Sequence, residues 1–450
     1  LGTIATAIAL NPRLPPGTNP AAAVALIGIA WIAFAVAALL VVRLPTRTAV
    51  WLILAGGIAL QASAGFGQPR SSDDAYRYIW DGRVQAAGID PYLYAPAAPE
   101  LTFLRDDFLW PERGNWCVAP GATDRERGQP LVPGCTRINR PNDHTIYPPM
   151  AEGIFLAVDW LSPPDEQYVP VQTAASVFAV ATTGLILVGL KRLRLDPRRA
   201  VLWAWCPLVP IETASNGHID AAAAFLTGIA LLLLATVHTR PRAICGGVLL
   251  GLAIATKLTP TVVLPSVMRR RPYVVGLAAA GAIAVVYVPH VLAVGGAVLG
   301  YLPGYLAEEG YTGGSRFALL TWVVPDTWAP PIAAAILLTV AIGVLRLTDP
   351  GRPWRGAVVM AGTALLLTTP SYPWYALLLV LLVALGGRVE WLAVAAAGYL
   401  AQYPHDLGIA PDTAQRVGYG IALLVVLLAS ATRARTRPKI HHPTTPAVNA

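Results

Sequence analysis

Charge is what this sequence is short of. Only 13% of its 450 residues are Asp, Glu, Lys or Arg, about half the share usual in a soluble globule, so the missing charge points to lipid rather than a water-facing surface. The mean hydropathy is +0.55, and several apolar runs reach or approach the roughly 20 residues needed to span hydrocarbon. Their repetition specifies an all-α polytopic membrane protein. Cysteine is scarce as well, with four in the chain. No signal peptide is legible, and a chain that starts at Leu1 is expected to have lost residues ahead of it. The 40 glycines and 40 prolines argue against long soluble helices but are tolerated where neighbouring membrane helices re-satisfy the backbone.

The apolar runs divide the chain. Residues 1–66 read as N-terminal transmembrane helices, with Ala21 to Val42 and Val50 to about Phe66 as spans. Residues 67–167 form the longest polar interval, a large loop with short interfacial helices. Residues 168–430 hold eleven further runs, from Tyr168–Leu190 to Val417–Ala429, interrupted by a lid-like segment near 295–329. Ala200–Ile211 and Thr261–Met268 are among those shorter than a full crossing, so the expected total is 11 to 14 spans. Residues 431–450 make a basic tail.

Basic residues orient this layout. If the Arg43/Arg47 turn is cytoplasmic and spans alternate, the cytoplasmic segments hold 20 of the 33 Lys/Arg and only three acidic residues, Asp196, Asp349 and Glu390. The other side then holds 13 basic and 22 acidic residues. Short loops such as Lys191-Arg-Leu-Arg194 and Arg269-Arg-Arg271 are where the positive-inside bias acts. The polar interval is therefore expected on the exoplasmic side of a plasma (inner) membrane. The net charge of +8 is accounted for by topology and contact with anionic lipids, and no nucleic-acid partner is needed.

Cys117 and Cys135 both fall in the polar interval, in a stretch too rich in Pro, Gly and charge to build a core. A disulfide between them closes a floppy loop, worth about 3 kcal/mol by chain entropy; two free thiols is the alternative. Cys206 and Cys245 fall in apolar runs and read as small core residues.

Charge gathers most densely at Asp73-Asp-Ala-Tyr-Arg-Tyr-Ile-Trp-Asp-Gly-Arg83, where an apolar run ends. A helix over 74–87 puts Asp74, Arg77 and Asp81 on one face, with Ile79 and Ala86 opposite, which suits a short helix lying in the interface. A helix cap satisfies one carboxylate but leaves the second beside Tyr76, Arg77, Tyr78 and Asp81 unexplained. A partly desolvated carboxylate here has its pKa raised toward that of a general base, and the residues do not separate Asp73 from Asp74.

Glu212, Asn216, His218 and Asp220 form a second group between apolar runs. Hydrocarbon tolerates them only against protein or a wet cavity, though helix capping across a tight turn is the plainer reading. A divalent ion bridged by Asp73 or Asp74 is the weaker alternative, because His218 and Asp220 have no evident third ligand. Lys257 has apolar sequence on both sides and no acidic neighbour, so an anion such as the phosphate of a lipid-linked donor should meet it; a snorkelling lysine is the rival reading. Arg316 is a second phosphate candidate, in a segment whose Tyr301, Tyr305, Glu308, Glu309 and Tyr311 suit a sugar-binding lid. His144 and Tyr147 close the polar interval, and Tyr372, Trp374 and Tyr375 break two spans on the same side; both sets line a groove or serve as interfacial belt residues. Gln402, His405 and Asp406 are candidates for its rim.

Taken in order, Asp73-Asp-Ala-Tyr-Arg-Tyr-Ile-Trp-Asp-Gly-Arg-Val-Gln-Ala-Ala-Gly-Ile-Asp-Pro-Tyr92, Ile146-Tyr-Pro-Pro149, Asn216-Gly-His-Ile-Asp220, Lys257-Leu-Thr-Pro260 and Tyr372-Pro-Trp-Tyr375 resemble the GT-C superfamily of polyprenyl-phosphate-sugar-dependent glycosyltransferases. The order looks most like that of actinobacterial enzymes using polyprenyl-phosphate-mannose, over roughly residues 60 to 430. The resemblance implies an acidic base at Asp73 or Asp74, a polyprenyl-phosphate-sugar donor, a lipid-linked or polysaccharide acceptor and no required cofactor. A transporter or flippase is the rival class; it needs buried charges along a path through the bilayer, near broken helices at the midplane, whereas these polar groups gather on one side.

Overall fold

Apolar runs in lipid become helices because hydrocarbon offers the backbone no other partner. The computed structural model describes residues 1–10, 20–65, 67–114, 117–118, 134–163, 165–236, 239–404 and 407–436. Among them, six helical runs are long and apolar enough to cross a membrane: Val24–Val41, Thr46–Ala64, Val169–Arg192, Pro272–Glu308, Asp326–Leu347 and Pro411–Arg435. Asp220–Ala235, Trp354–Thr368 and Pro373–Gly386 are shorter apolar helices. Leu277, Val285, Leu292, Leu338 and Leu424 stand exposed around the outside, an apolar surface that only lipid suits. In contrast, every residue from Leu377 to Leu385 is buried, so that helix is the centre of the bundle.

Several short runs are broken rather than extended. Residues 197–215 pass through a 3₁₀ turn, two short α segments and a π-helical turn at Ile211–Ser215, because Pro207 and Pro210 remove donors from a regular ladder. Thr259–Val263 and Leu264–Val267 replace one expected span with a 3₁₀ and a four-residue α segment. Arg240–Ile254 crosses tightly against Pro272–Val294: a Cβ at Gly251 would lie 2.3 Å from the Ala279 carbonyl oxygen, and one at Gly247 2.6 Å from that of Val275. Small residues four apart let two backbones touch in lipid. The last helix, Pro411–Thr436, continues into the expected basic tail; residues 437–450, 119–133, His405 and Asp406 lie outside the described residues. Cys245 is exposed rather than core, while Cys206 is buried.

Loops of like character meet at opposite ends of the bundle. At one end Arg198 donates to the carbonyls of Val42 and Leu44, Arg269 donates to that of Thr348 at 2.8 Å, and Arg388 and Arg433 both clamp Glu390. These arginines therefore tie loops together. At the other end gather the segments around residues 71, 140, 216, 257, 308, 372 and 402.

The polar interval builds more structure than its composition promises. Asp74–Ala86 is helical, and eight of its residues, Ala75, Tyr76, Arg77, Tyr78, Trp80, Asp81, Gly82 and Val84, are buried, so it lies inside the folded loop and not flat on an interface. One side packs on the helix Pro149–Leu161, with Tyr78 stacked on Phe155 at 4.4 Å. The other joins a small core of Tyr76, Trp80, Val84, Leu101, Leu109 and Ile138. Aromatic rings supply the apolar area that the Pro- and Gly-rich flanks lack. Cys117 and Cys135 are joined by a disulfide across a two-residue antiparallel ladder.

Candidate active site

The paired carboxylates stand where the chain turns into the helix Asp74–Ala86. Asp73 is the residue before its first turn, with no side-chain capping bond. Burial first, and then the neighbouring Asp74 charge, push its carboxyl up to about 6. Asp74 is held: Asn139 Nδ2 donates to its Oδ1 at 2.8 Å, and its backbone N–H donates to Ser72 Oγ at 3.2 Å. One turn on, Arg77 Nε donates to both Asp81 oxygens, at 2.9 and 3.0 Å, and Nη1 donates to the Asp143 carbonyl at 3.2 Å. Leaving one of two such buried charges alone costs about 3–5 kcal/mol, so this pair is the joint that fixes the returning segment 139–144 against the helix. Behind it Glu152 accepts from Thr145 Oγ1 at 2.8 Å and Gln85 Nε2 at 2.9 Å; burial and the adjacent Asp81 hold its carboxyl well above the usual range.

The turn 216–220 faces this helix start. Asn216 Oδ1 accepts from the backbone N–H of Arg70 and Ser71, both at 3.3 Å, and its Nδ2 donates to Ser71 Oγ at 2.6 Å. Gly217 takes φ +74°, a conformation that costs a residue without Cβ nothing, and the chain reverses to place His218 3.7 Å from Asp74. Asp220 opens the next helix and forms an ion pair with Lys257 at 3.2 Å. Lys257 is thus not unpaired: the turn that carries it ends at the same level as the start of Asp220–Ala235. Its ammonium also lies over the rings of Tyr147 at 5.4 Å and Tyr375 at 5.8 Å.

These elements enclose a cavity of about 520 Å³. Asp73, Asp74 and Arg77 form one wall, Asn139, Arg140, Asp143, His144 and Tyr147 a second, and Lys257 with Tyr372, Trp374 and Tyr375 a third. The remaining side is apolar, made by Leu258, Leu302, Leu306, Ala364 and Leu365. Tyr301, Tyr305 and Tyr311 come from the lid-like segment. It is pinned by Glu308, which accepts from Arg140 Nη2 at 2.5 Å and from Tyr301 OH at 2.8 Å, and by a hydrogen bond between the Tyr305 and Tyr375 hydroxyls.

Not every expected residue reaches the cavity. Tyr76 turns to the other face of its helix, against Phe108, and packs in the loop core. Asp81 is consumed by Arg77 and is itself buried. Arg316 is 4% exposed, donates to Glu309 at 2.6 Å and stays out of the cavity wall; Arg140 lines the wall in its place, together with Lys257 and Arg77. Asn216, His218 and Asp220 stand immediately behind the wall and touch Ser71, Asp74 and Lys257, which form it, and Glu212 lies one layer further back, against Asn216 and Tyr399. Gln402 donates to the Ser71 carbonyl at 3.1 Å. Asn139, Arg140 and Glu152 were not singled out by sequence, although Glu152 carried a signal, an acid in the first turn of a largely apolar helix. Among the described residues no three His, Cys, Asp or Glu side chains come together as a metal site.

Neither the curated proteins nor the solved structures yielded a match to this chain. The sequence model of Glycosyltransferase family 87 matches residues 145–370, which contain His218, Asp220 and Lys257, and the geometry joins to them the Asp73/Asp74 segment that precedes the match. Because that match takes in half of the residues and the helices around the cavity are membrane-spanning, the chain belongs to glycosyltransferase family 87 and is a membrane-embedded sugar transferase.

Proposed function

We propose that the protein transfers a sugar, mannose by its motif order, from a polyprenyl-phosphate donor to a hydroxyl of a lipid or glycan acceptor on the exoplasmic face. The observation that carries this reading is one cavity holding an oriented carboxylate, Asp74, and a cation, Lys257, beside an apolar wall. The apolar wall takes the start of a polyprenyl chain, and Lys257 meets the phosphate. Asp74 removes the acceptor proton as the oxygen attacks C1 from the side opposite the phosphate, which inverts that carbon. Charge builds on the departing phosphate where Lys257 already stands, so stabilisation is preorganised. With a single phosphate leaving, the proposal uses no cofactor. The exoplasmic assignment follows from the Arg-rich loops at the far end.

The test offers membranes carrying the protein polyprenyl-phosphate-linked mannose, glucose and galactose, and separately nucleotide sugars, with alkyl glycosides as acceptors. Consumption of the polyprenyl-phosphate mannose, with a product of opposite anomeric configuration by NMR, is expected. Turnover of nucleotide sugars alone would overturn the donor assignment.

Asp73 adds a pH signature. Its carboxyl is pushed up to about 6, and once ionised it adds a second negative charge to the wall, which favours the positive charge that develops on the sugar as the phosphate departs. Transfer is expected to rise with pH through about 6, by up to about tenfold, and Asp73→Asn to stay near the low-pH rate at every pH, up to about tenfold below wild type at pH 8, without this inflection. Initial rates from pH 5 to 8 read it; an inactive D73N would give the base to Asp73 instead.

A further inference from the structure

Glu212 and His218 lie behind the cavity wall, and the transfer step as drawn does not use them. An irregular turn brings them together. The π-helical turn Ile211–Ser215 and the reversal at Gly217 let the His218 backbone N–H donate back to the Glu212 carbonyl at 2.9 Å. Such π insertions are rare and recur at functional positions. The His218 side chain is fully buried and lies face to face on the Trp374 ring, with centroids 4.0 Å apart.

Both its ring nitrogens lack a hydrogen-bond partner among the described residues. Nδ1 stands 3.7 Å from Asp74 Oδ2, and Nε2 stands 3.5 Å from Glu212 Oε2. A neutral imidazole carries one N–H, and a buried donor without a partner loses its hydration for nothing. Sliding the ring across Trp374 by under about 1 Å brings either contact to ordinary hydrogen-bond length and lengthens the other. The imidazole thus stands between two stations within reach, one a cavity carboxylate and one a sealed carboxylate. Glu212 is equipped as the far station: Tyr399 OH donates to Oε1 at 2.8 Å and Asn216 Nδ2 to Oε2 at 3.0 Å.

We propose that His218 is a positioning residue that relays the acceptor's proton from Asp74 to Glu212, an inference that rests on Asp74 as the base. The acceptor O–H bond breaks as its oxygen bonds to C1, and the C1–O bond to phosphate breaks with its electron pair leaving on the polyprenyl phosphate. The proton goes to Asp74 Oδ2 and on to His218 Nδ1, while the proton on Nε2 passes to Glu212 Oε2. Asp74 is again ionised, the imidazole is neutral in its other tautomer, and Glu212 is an acid. After the product leaves, the reverse passage returns the proton through Asp74 to water in the open cavity. The relay keeps the proton away from the new glycosidic oxygen while the products are still in place.

The test is single-turnover transfer from polyprenyl-phosphate mannose to octyl mannoside, measured in mixtures of H₂O and D₂O. Wild type is expected to give a bowed proton inventory, the mark of two protons in flight. His218→Gln, which donates a hydrogen bond but cannot pass a proton, is expected to lose about 10²-fold in rate, with donor KM within about twofold and a linear inventory. An H218Q enzyme within threefold of wild type, or a linear inventory in wild type itself, overturns the relay. If H218Q fails to fold by thermal melting, Glu212→Gln decides in its place, since it keeps an acceptor oxygen for Tyr399 but takes no proton; the linear inventory is again expected and a bowed one overturns the relay. Full activity in D74N would instead remove the underlying reading, whereas an inactive D74N beside a fully active H218Q removes the relay alone.

Discussion

Asp74→Asn is expected to lower kcat for sugar transfer by about 10³-fold, within the range a positioned general base contributes, with donor KM almost unchanged. The amide matches the carboxylate in shape and still offers an oxygen to Asn139 Nδ2, whose bond to Oδ1 is 2.8 Å. Folding is therefore preserved, and an unchanged melting temperature checks this. Lys257 and the apolar wall remain, so the donor still binds; what is lost is a lone pair aimed at the acceptor hydroxyl. A KM effect with kcat intact would mean that Asp74 binds sugar and does not take a proton. The comparison with D73N sharpens the result, since Asp73 shares the wall but has no capping bond to hold it in one direction. A 10³-fold loss in D74N beside a loss of at most about tenfold in D73N places the chemistry on the oriented member of the pair, and the reverse order reverses the assignment.

The parts of this site legible in the sequence were those where a polar residue sits in apolar surroundings. Lys257 and the group at 212–220 had to find partners, and they did, at the end of the bundle away from the arginine-rich loops. The identity of the partners was not legible. Lys257 meets Asp220 because two separate turns end at one level, and Arg140 meets Glu308 across 168 positions. Nothing local distinguished Arg140 from Arg316, since both lie in Gly- or Pro-containing loops; the difference is that Arg316 has Glu309 close by in its own turn, while Arg140, at φ +46°, is turned into the cavity wall. Tyr76 was excludable from the start. At about 100° per residue it stands roughly 200° round the helix from Asp74, on the face that packs against Phe108. Asp81 shares the face of Asp74 but is displaced by about 10 Å along the axis at 1.5 Å per residue, so it reaches Arg77 rather than the cavity. The broken segment at 197–215 shows the limit on the fold side: hydropathy reads one apolar run, and only Pro207 and Pro210 hint that it is made of pieces.

Lys257→Met is expected to cut kcat/KM for the polyprenyl-phosphate donor by about 10²- to 10³-fold, the usual loss when one preorganised contact to developing charge is removed, and to weaken inhibition by free polyprenyl phosphate in parallel. The single substitution carries a structural cost as well. Asp220 is 4% exposed, and a buried carboxylate stripped of its cation costs about 3–5 kcal/mol, so K257M is expected to melt early. The double variant Lys257→Met/Asp220→Asn removes both charges and is expected to restore the melting temperature while leaving transfer as low as in K257M. That separation decides the role of the lysine: a restored fold without restored transfer means the ammonium acts on the donor phosphate. Transfer that returns together with the melting temperature means Lys257 only neutralised Asp220, and the donor phosphate must then be met by another cation in the wall, Arg140 or Arg77.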